Sequence, residues 1–273
     1  MSGRLLPGGA YDSDWVARFY SMAGIWWGRD PQGGTVHDRR IGIVEKFGGR
    51  PGDSILELGS GGGATAAAFA DLGYSVCAVD ISDRSLYATE LASLPRAGGM
   101  EVIQADFLEL ELARTFDFVT CWEGFGIGDD SLQRCLLGKI ASSWLRNGGA
   151  AIMDVFHPYG AIKAAGSEKR YKPLVGVPGS VEMINRTYYD PINAQWIDEW
   201  CPVDDPDQAL AQALRCYTPK DLALLVEGTG LVIESLECRG TQLDLHRGEV
   251  CVDSPLLDAE HDYTYLAVMR KKG

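Results

Sequence analysis

An apolar run that stops on a cluster of glycines and restarts as a helix of small residues leaves a chain few folds to choose from. Here it reads "ILELGSGGGATAAAFADLGYSVCAVDIS", Ile55 to Ser82. Glycines let backbone turn sharply and approach a ligand closely, and the helix that follows points its unpaired N–H groups at that ligand. Gly59, Gly61 and Ala64 satisfy the G-x-G-x-x-G/A spacing of a dinucleotide loop, with Asp80 ending the second apolar run as a ribose ligand. Taken alone, the loop does not tell one adenosine-bearing cofactor from another.

The surroundings repeat the same rhythm. "SILEL" (54–58), "SVCAVD" (75–80), "EVIQAD" (101–106), "FDFVTC" (116–121) and "AAIMDVF" (150–156) read as buried parallel strands. Helices are expected over 64–72, over 83–94 with Ser82 as N-cap and Pro95 as stop, and over 131–145 before Asn147-Gly148-Gly149. This alternation predicts an α/β fold with a doubly wound, Rossmann-like sheet. After Phe156 the rhythm breaks. "SVEMINRTYYD" and "AQWIDEW" predict a hairpin turning at 190–193. Thr218-Pro219 and Asp221 open a helix, and "LVIESLE" and "YTYLAVMRK" are the last two strands. The first 50 residues are helical and rich in aromatic residues, among them Trp15, Phe19, Tyr20, Trp26 and Trp27. They serve either as a packing cap over the sheet or as a lid over a ligand. The expected division is 1–50 as a helical lid, 51–156 with 215–273 as the core, and 157–214 as a cap insertion.

Composition narrows the partners. Net charge is −13, and Val181 to Tyr265 carries 17 acids against 5 bases, or −12 of it. A polyanion such as nucleic acid or an acidic membrane needs clustered Lys and Arg, so neither is expected as a partner. A small neutral or cationic molecule suits this field better. No apolar run approaches the ~20 residues of a membrane span, and "MSGRLLPGGAYDSDW" has no apolar signal region, so the expected compartment is the cytoplasm. The seven cysteines (77, 121, 135, 201, 216, 238, 251) have no CxxC spacing and read as reduced thiols. His37, His246 and His261 are isolated in the sequence, so no metal site is expected.

Three features separate the cofactors. Glu57 lies two residues before Gly59, where a carboxylate would repel a pyrophosphate but attract an ammonium and a sulfonium. The third strand ends in "QADF", where Asp106 can accept from an adenine amine flanked by Phe107 and Ile81. No second α/β half follows to hold a nicotinamide. At "LELGSGGG", "VDIS", "QADF", "FDFVTCWEGFG" and "WLRNGGAAIMDVF" the chain resembles the class I S-adenosylmethionine-dependent methyltransferases of small molecules, closely over about 55–156. The resemblance implies a seven-stranded sheet with its last strand antiparallel and S-adenosylmethionine as cofactor. It also implies that Glu57, Gly59 and Gly61 surround the methionine moiety, Asp80 binds the ribose and Asp106 binds the adenine. Ser60, Ile81, Phe107, Cys121 and Tyr20 complete the expected cofactor set, Tyr20 being preferred to Tyr11. A cap inserted after the fifth strand, closing with the N-terminal helices over a small substrate, is implied as well. "CWEGFG" replaces the Asn/Asp-Pro-Pro-Tyr element of nucleic-acid amino methyltransferases.

Methyl transfer from a sulfonium is an in-line displacement that needs alignment and desolvation, and a base only if the acceptor must lose a proton. His157 and Glu123 are the expected bases or orienting groups, with Asp154 third. Trp26, Trp27, Trp122, Tyr159, Arg215 and Tyr217 are the expected substrate contacts, with a surface ion pair as the alternative for Arg215. The expected reaction is methyl transfer to an O, N or C atom of a small metabolite, as in secondary metabolism. The alternatives are a cyclase or isomerase on the same fold, an NAD(P)-dependent oxidoreductase, and a non-enzymatic binding module. The hairpin and aromatic N-terminus would equally suit a homodimer contact.

Overall fold

The computed structural model describes residues 11–28, 33–246, 251–258 and 263–272. His261 and the first ten residues of the expected lid lie outside them. Two helices come first, α1 (Ser13–Trp26) and α2 (Gly34–Lys46). The expected alternation follows: β1 (Ser54–Leu58), α3 (Ala64–Asp71), β2 (Ser75–Asp80), α4 (Ser85–Ala92), β3 (Gly99–Gln104), β4 (Phe116–Phe125), α5 (Asp130–Lys139) and β5 (Leu145–Phe156). Next come α6 (Pro158–Ala164) and four strands, β6 (Glu168–Tyr171), β7 (Met183–Asp190), β8 (Gln195–Pro202) and β9 (Leu210–Arg215). The chain ends with α7 (Pro219–Val226), β10 (Leu231–Cys238), β11 (Thr241–Gln242) and β12 (Thr264–Lys271).

The large sheet has the order β11-β10-β12-β5-β4-β1-β2-β3. Strands β1 to β5 pair in parallel, and β12 enters antiparallel between β5 and β10. The seven expected strands are all present, and the two-residue β11 adds an eighth at the edge. Both faces are covered, which is why the strands read as unbroken apolar runs. On one face Leu56, Leu58, Val119 and Met153 pack under Leu136 and Leu137 of α5 and Leu222 and Leu225 of α7. On the other, Ile55, Val76, Phe118 and Ile152 pack under Val44 of α2 and Phe69 of α3.

Some boundaries differ from the sequence expectation. Helix α4 spans Ser85–Ala92 rather than 83–94, because the Ser82 hydroxyl donates to Asp80 Oδ1 (2.5 Å) instead of capping a helix. Helix α5 starts at Asp130 behind Asp129, whose Oδ1 accepts from the Leu132 N–H. After Lys139 it widens into a π-helical turn, Ile140–Trp144, and β5 starts there, five residues before the expected 150. Helix α7 carries the expected cap at Thr218, closed reciprocally by Asp221.

The expected hairpin is β7 and β8, and it is the centre of a larger element. β6 and β9 flank it to give an antiparallel sheet of order β6-β7-β8-β9. Its turn is held by Asp190 Oδ1, which accepts from the N–H groups of Ile192 and Asn193. Helix α1 packs on this second sheet, with Phe19 and Trp26 against Met183 and Trp200 and the Trp26 and Trp200 rings stacked at 6.2 Å.

Candidate active site

Strand order reverses at β1, which lies between β4 and β2, and the crevice beyond the strand C-termini at such a point is where open α/β sheets bind ligands. A cavity of about 510 Å3 opens there, within the roughly 300–1,000 Å3 of small-molecule sites. Glu57, Asp80 and Asp106 reach it from β1, β2 and the turn after β3. Tyr20 and Trp27 of the N-terminal segment and Arg39 and Arg40 of α2 cover it, and Trp196, Asp198, Gln212 and Leu214 face it from the second sheet. The N-terminal segment therefore both packs and covers. Trp26 is buried against the second sheet while Tyr20 and Trp27 line the cavity.

The glycine loop has the geometry its composition predicted. Gly61 holds φ +54°, and its N–H donates to Asp80 Oδ2 at 2.7 Å. Gly63 holds φ +77° as N-cap of α3, and a side chain there would meet the Ala88 Cβ at 2.6 Å. Asp80 is thus anchored by the loop it serves, with Oδ1 also accepting from the Ser82 N–H at 2.9 Å. Asp106 accepts at Oδ2 from the Tyr11 hydroxyl (2.5 Å) and at Oδ1 from the Leu108 N–H (2.8 Å). Burial, and then the hydrogen bond to Asp106, pushes the Tyr11 hydroxyl up. Glu57 is buried, and its Oε2 has no hydrogen-bond partner among the described residues. Burial raises its pKa to about 7, with Arg40 opposing and Asp80 adding. Ser60 Oγ and Trp122 Nε1 likewise have no hydrogen-bond partner among the described residues. A buried polar atom without a partner is costly, which makes these cavity-lining atoms candidates for contact with a polar ligand.

Cationic groups that the sequence reading passed over also face the cavity. Arg40 is buried and forks between Thr65 Oγ1 and Glu123 Oε2, both at 3.0 Å, with its guanidinium over the Trp122 ring at 5.3 Å. Arg84 is buried beside Gly61, made room for by Gly24 of α1, and its Nε has no partner among the described residues. Glu123 sits at φ +57° on an irregular stretch of β4 and faces the cavity as the partner of Arg40.

Several expected residues lie elsewhere. His157 is fully buried as N-cap of α6, with Nδ1 accepting from the Gly160 N–H at 3.4 Å, and does not line the cavity. Tyr159 packs on the His157 ring at 5.7 Å. Arg215 takes the ion-pair alternative, with Nε on Asp130 Oδ1 at 2.9 Å, and the Tyr217 hydroxyl donates to the same oxygen at 2.8 Å. Cys121 is buried in β4, where desolvation pushes its thiol up to about 12. Asp154 is buried in β5, raised to about 6 by burial, and 4.0 Å from Arg39. No group of three or more His, Cys, Asp or Glu arranged to hold a metal ion occurs among the described residues. No helix there is long and apolar enough to cross a membrane.

Residues 55–149 match the family model described as a methyltransferase domain. Residues 55–149 are a class I methyltransferase domain. A ubiquinone biosynthesis O-methyltransferase of Pseudomonas fluorescens is 31% identical to the chain over 113 residues, which are 40% of this chain and 49% of that protein. The chain thus spans about half the length of the curated relatives it matches. The CcbJ methyltransferase from Streptomyces caelestis shares the fold of this chain at a TM-score of 0.70 and 18% identity, covering 98% of this chain and 100% of that one. SAM-bound CalS10 from Micromonospora echinaspora, an amino pentose methyltransferase involved in calicheamicin biosynthesis, aligns at 0.57 and 17% identity over 88% and 93%. The methyltransferase fold thus extends through the second sheet, beyond the segment that the family model matches.

Proposed function

We propose that the chain binds S-adenosylmethionine in this cavity and catalyses methyl transfer to a small metabolite. The observation that carries the reading is the buried Glu57 carboxylate, with one oxygen unpartnered, beside a glycine loop and in one cavity with Asp80 and Asp106. A carboxylate so placed suits a ligand whose end at the loop is positive, and opposes a pyrophosphate. The residues fit the cofactor along its length. Glu57 takes the α-ammonium, and Arg84 and Arg40 are the cations at hand for the carboxylate. Asp80, fixed by Gly61 and Ser82, takes the ribose hydroxyls. Asp106 takes the adenine amine, with Ile81 and Phe107 at the ring and Tyr11 orienting the carboxylate. When bound, the cofactor supplies a methyl group already activated on sulfur.

The chain's own task is then to hold the acceptor in line and keep water out. Trp27, Trp122, Trp196 and Phe156 supply apolar wall. Glu123 is held by Arg40 and orients a donor on the acceptor. A place in secondary metabolism is part of the proposal, supported by the involvement of CalS10 in calicheamicin biosynthesis. Isothermal titration tests the reading. S-adenosylhomocysteine should bind in the micromolar range and NAD(P) should not, and mass spectrometry of an acceptor incubated with S-adenosylmethionine should show a gain of one methylene. Tight NAD(P) binding without S-adenosylhomocysteine binding overturns the cofactor, and an unchanged mass overturns the transfer.

A further inference from the structure

Asp198 is the one carboxylate that the second sheet turns into the cavity, and it is buried. Three neutral donors hold it. Oδ2 accepts from Trp200 Nε1 (2.8 Å) and Gln212 Nε2 (3.0 Å), and Oδ1 accepts from Asn185 Nδ2. The Asp198 carboxylate only accepts, so the Gln212 amide must turn Nε2 toward it, which leaves Oε1 to accept from the Tyr20 hydroxyl at 2.7 Å. Burial pushes the Asp198 carboxyl up and the three donors oppose that push, so the network aims the carboxylate and favours its charged form, and no Lys, Arg or His forms an ion pair with it among the described residues. An ionised carboxylate has about four acceptor sites. Three are filled, and the fourth lies on Oδ1. Beside Asp198 in the cavity wall, the Trp196 and Tyr263 rings stack at 5.2 Å and 9°, with Phe156 5.1 Å from Trp196. An oriented anion without a counter-cation, next to electron-rich ring faces, recognises an organic cation.

We propose that Asp198 and the Trp196–Tyr263 wall form the subsite for a substrate amine, so that the atom methylated is a primary or secondary amine nitrogen. The inference rests on the methyl-transfer reading above and names its acceptor. An amine enters as its ammonium and is held on Oδ1 of Asp198. It passes one proton to that carboxylate and so exposes its lone pair. The lone pair forms the N–C bond as the sulfur–methyl bond breaks, its electrons staying on sulfur. The N-methylammonium product retains the positive charge. An alcohol in the same place would leave the carboxylate charge unmatched, and a substrate carboxylate or phosphate would be repelled.

Calorimetry on the full chain saturated with S-adenosylhomocysteine tests this with three probes of one ring size: cyclohexylammonium, cyclohexanol and cyclohexanecarboxylate. The ammonium should bind at least about tenfold tighter than the alcohol, the value expected of a charge-assisted hydrogen bond. Asp198→Asn should reduce that ratio to within about threefold while leaving S-adenosylhomocysteine affinity nearly unchanged. Trp196→Leu should weaken the ammonium several-fold more than the alcohol, because only the ammonium loses a cation–π contact besides apolar contact. Ammonium and alcohol binding alike to the wild type, no ammonium binding at all, or a tenfold preference surviving in Asp198→Asn overturns the amine subsite. Failure of S-adenosylhomocysteine itself to bind strikes the proposed function instead, so the two readings fail separately. If Asp198→Asn does not fold, the wild-type probe series and Trp196→Leu decide.

Discussion

Glu57 shows how one side chain ties stability to binding. Its carboxylate is buried, with Oε2 unpartnered, and its pKa rises from the ordinary 4.5 to about 7. Between those values the folded protein holds a proton that the unfolded chain has released, so this contribution to stability is present at low pH and is lost as pH rises through 7. Asp154, raised to about 6, acts in the same direction over a lower window. Glu57→Gln removes the cost of burying the charge, and at pH 8 it should raise the melting temperature of the ligand-free protein by about 2–4 °C per kcal/mol recovered, read by calorimetry. The same substitution should weaken S-adenosylhomocysteine about tenfold to a hundredfold, the worth of one charge-assisted hydrogen bond. Wild-type affinity should climb from pH 5.5 to 7.5 as the ligand's ammonium draws the proton off Glu57, whereas Glu57→Gln should show no such climb. The acid was legible because it precedes a glycine loop at fixed spacing. The orphaned oxygen was not, since it depends on what α2 and the loop leave uncovered.

At the scale of elements, a tight constraint that bears on the site is the joint between α3 and α4. Gly63 is left-handed, and an added Cβ there would meet the Ala88 Cβ at 2.6 Å and the Met100 Cε at 2.9 Å. Gly63→Ala should cost about 2–4 kcal/mol, combining left-handed strain with overpacking. It should also lower S-adenosylhomocysteine affinity, because the helix N-terminus and the loop move together; denaturant melts and calorimetry check both. The βα alternation, the α7 cap at Thr218 and the turn at Asp190 were legible because period, capping and turn chemistry are local. The second sheet was legible only in part. "EKRY" of β6 is too short and too exposed to signal a strand, and "LAQALR" of β9 alternates too weakly; both are strands because β7 and β8 offer them an edge. His157 misled for a similar reason. It stands beside the cavity in sequence, yet the need of α6 for an N-cap turns its ring inward.

Across the whole molecule, the cavity is closed by two segments remote from the glycine loop in sequence. Trp26 and Phe19 of α1 dock on Trp200 and Met183 of the second sheet, and the Tyr20–Gln212 hydrogen bond spans 192 positions of sequence. Trp26→Ala should cost about 3–5 kcal/mol of stability. It should also free α1 to proteolysis at rates that S-adenosylhomocysteine suppresses in the wild type but only weakly in the variant, as timed digestion followed by mass spectrometry would show. By itself, the amino-acid sequence determined the parallel sheet, the glycine loop and the three carboxylates at the strand ends. Each depends on residues a few positions apart, and backbone geometry translates such spacing directly into place. Only the tertiary structure decided that Arg84 reaches the loop, that Tyr11 and Tyr20 both serve the cavity, and that Asp198 faces it from the second sheet. Those positions arise from side-chain packing between elements remote in sequence, where no local period or turn records which neighbour will arrive.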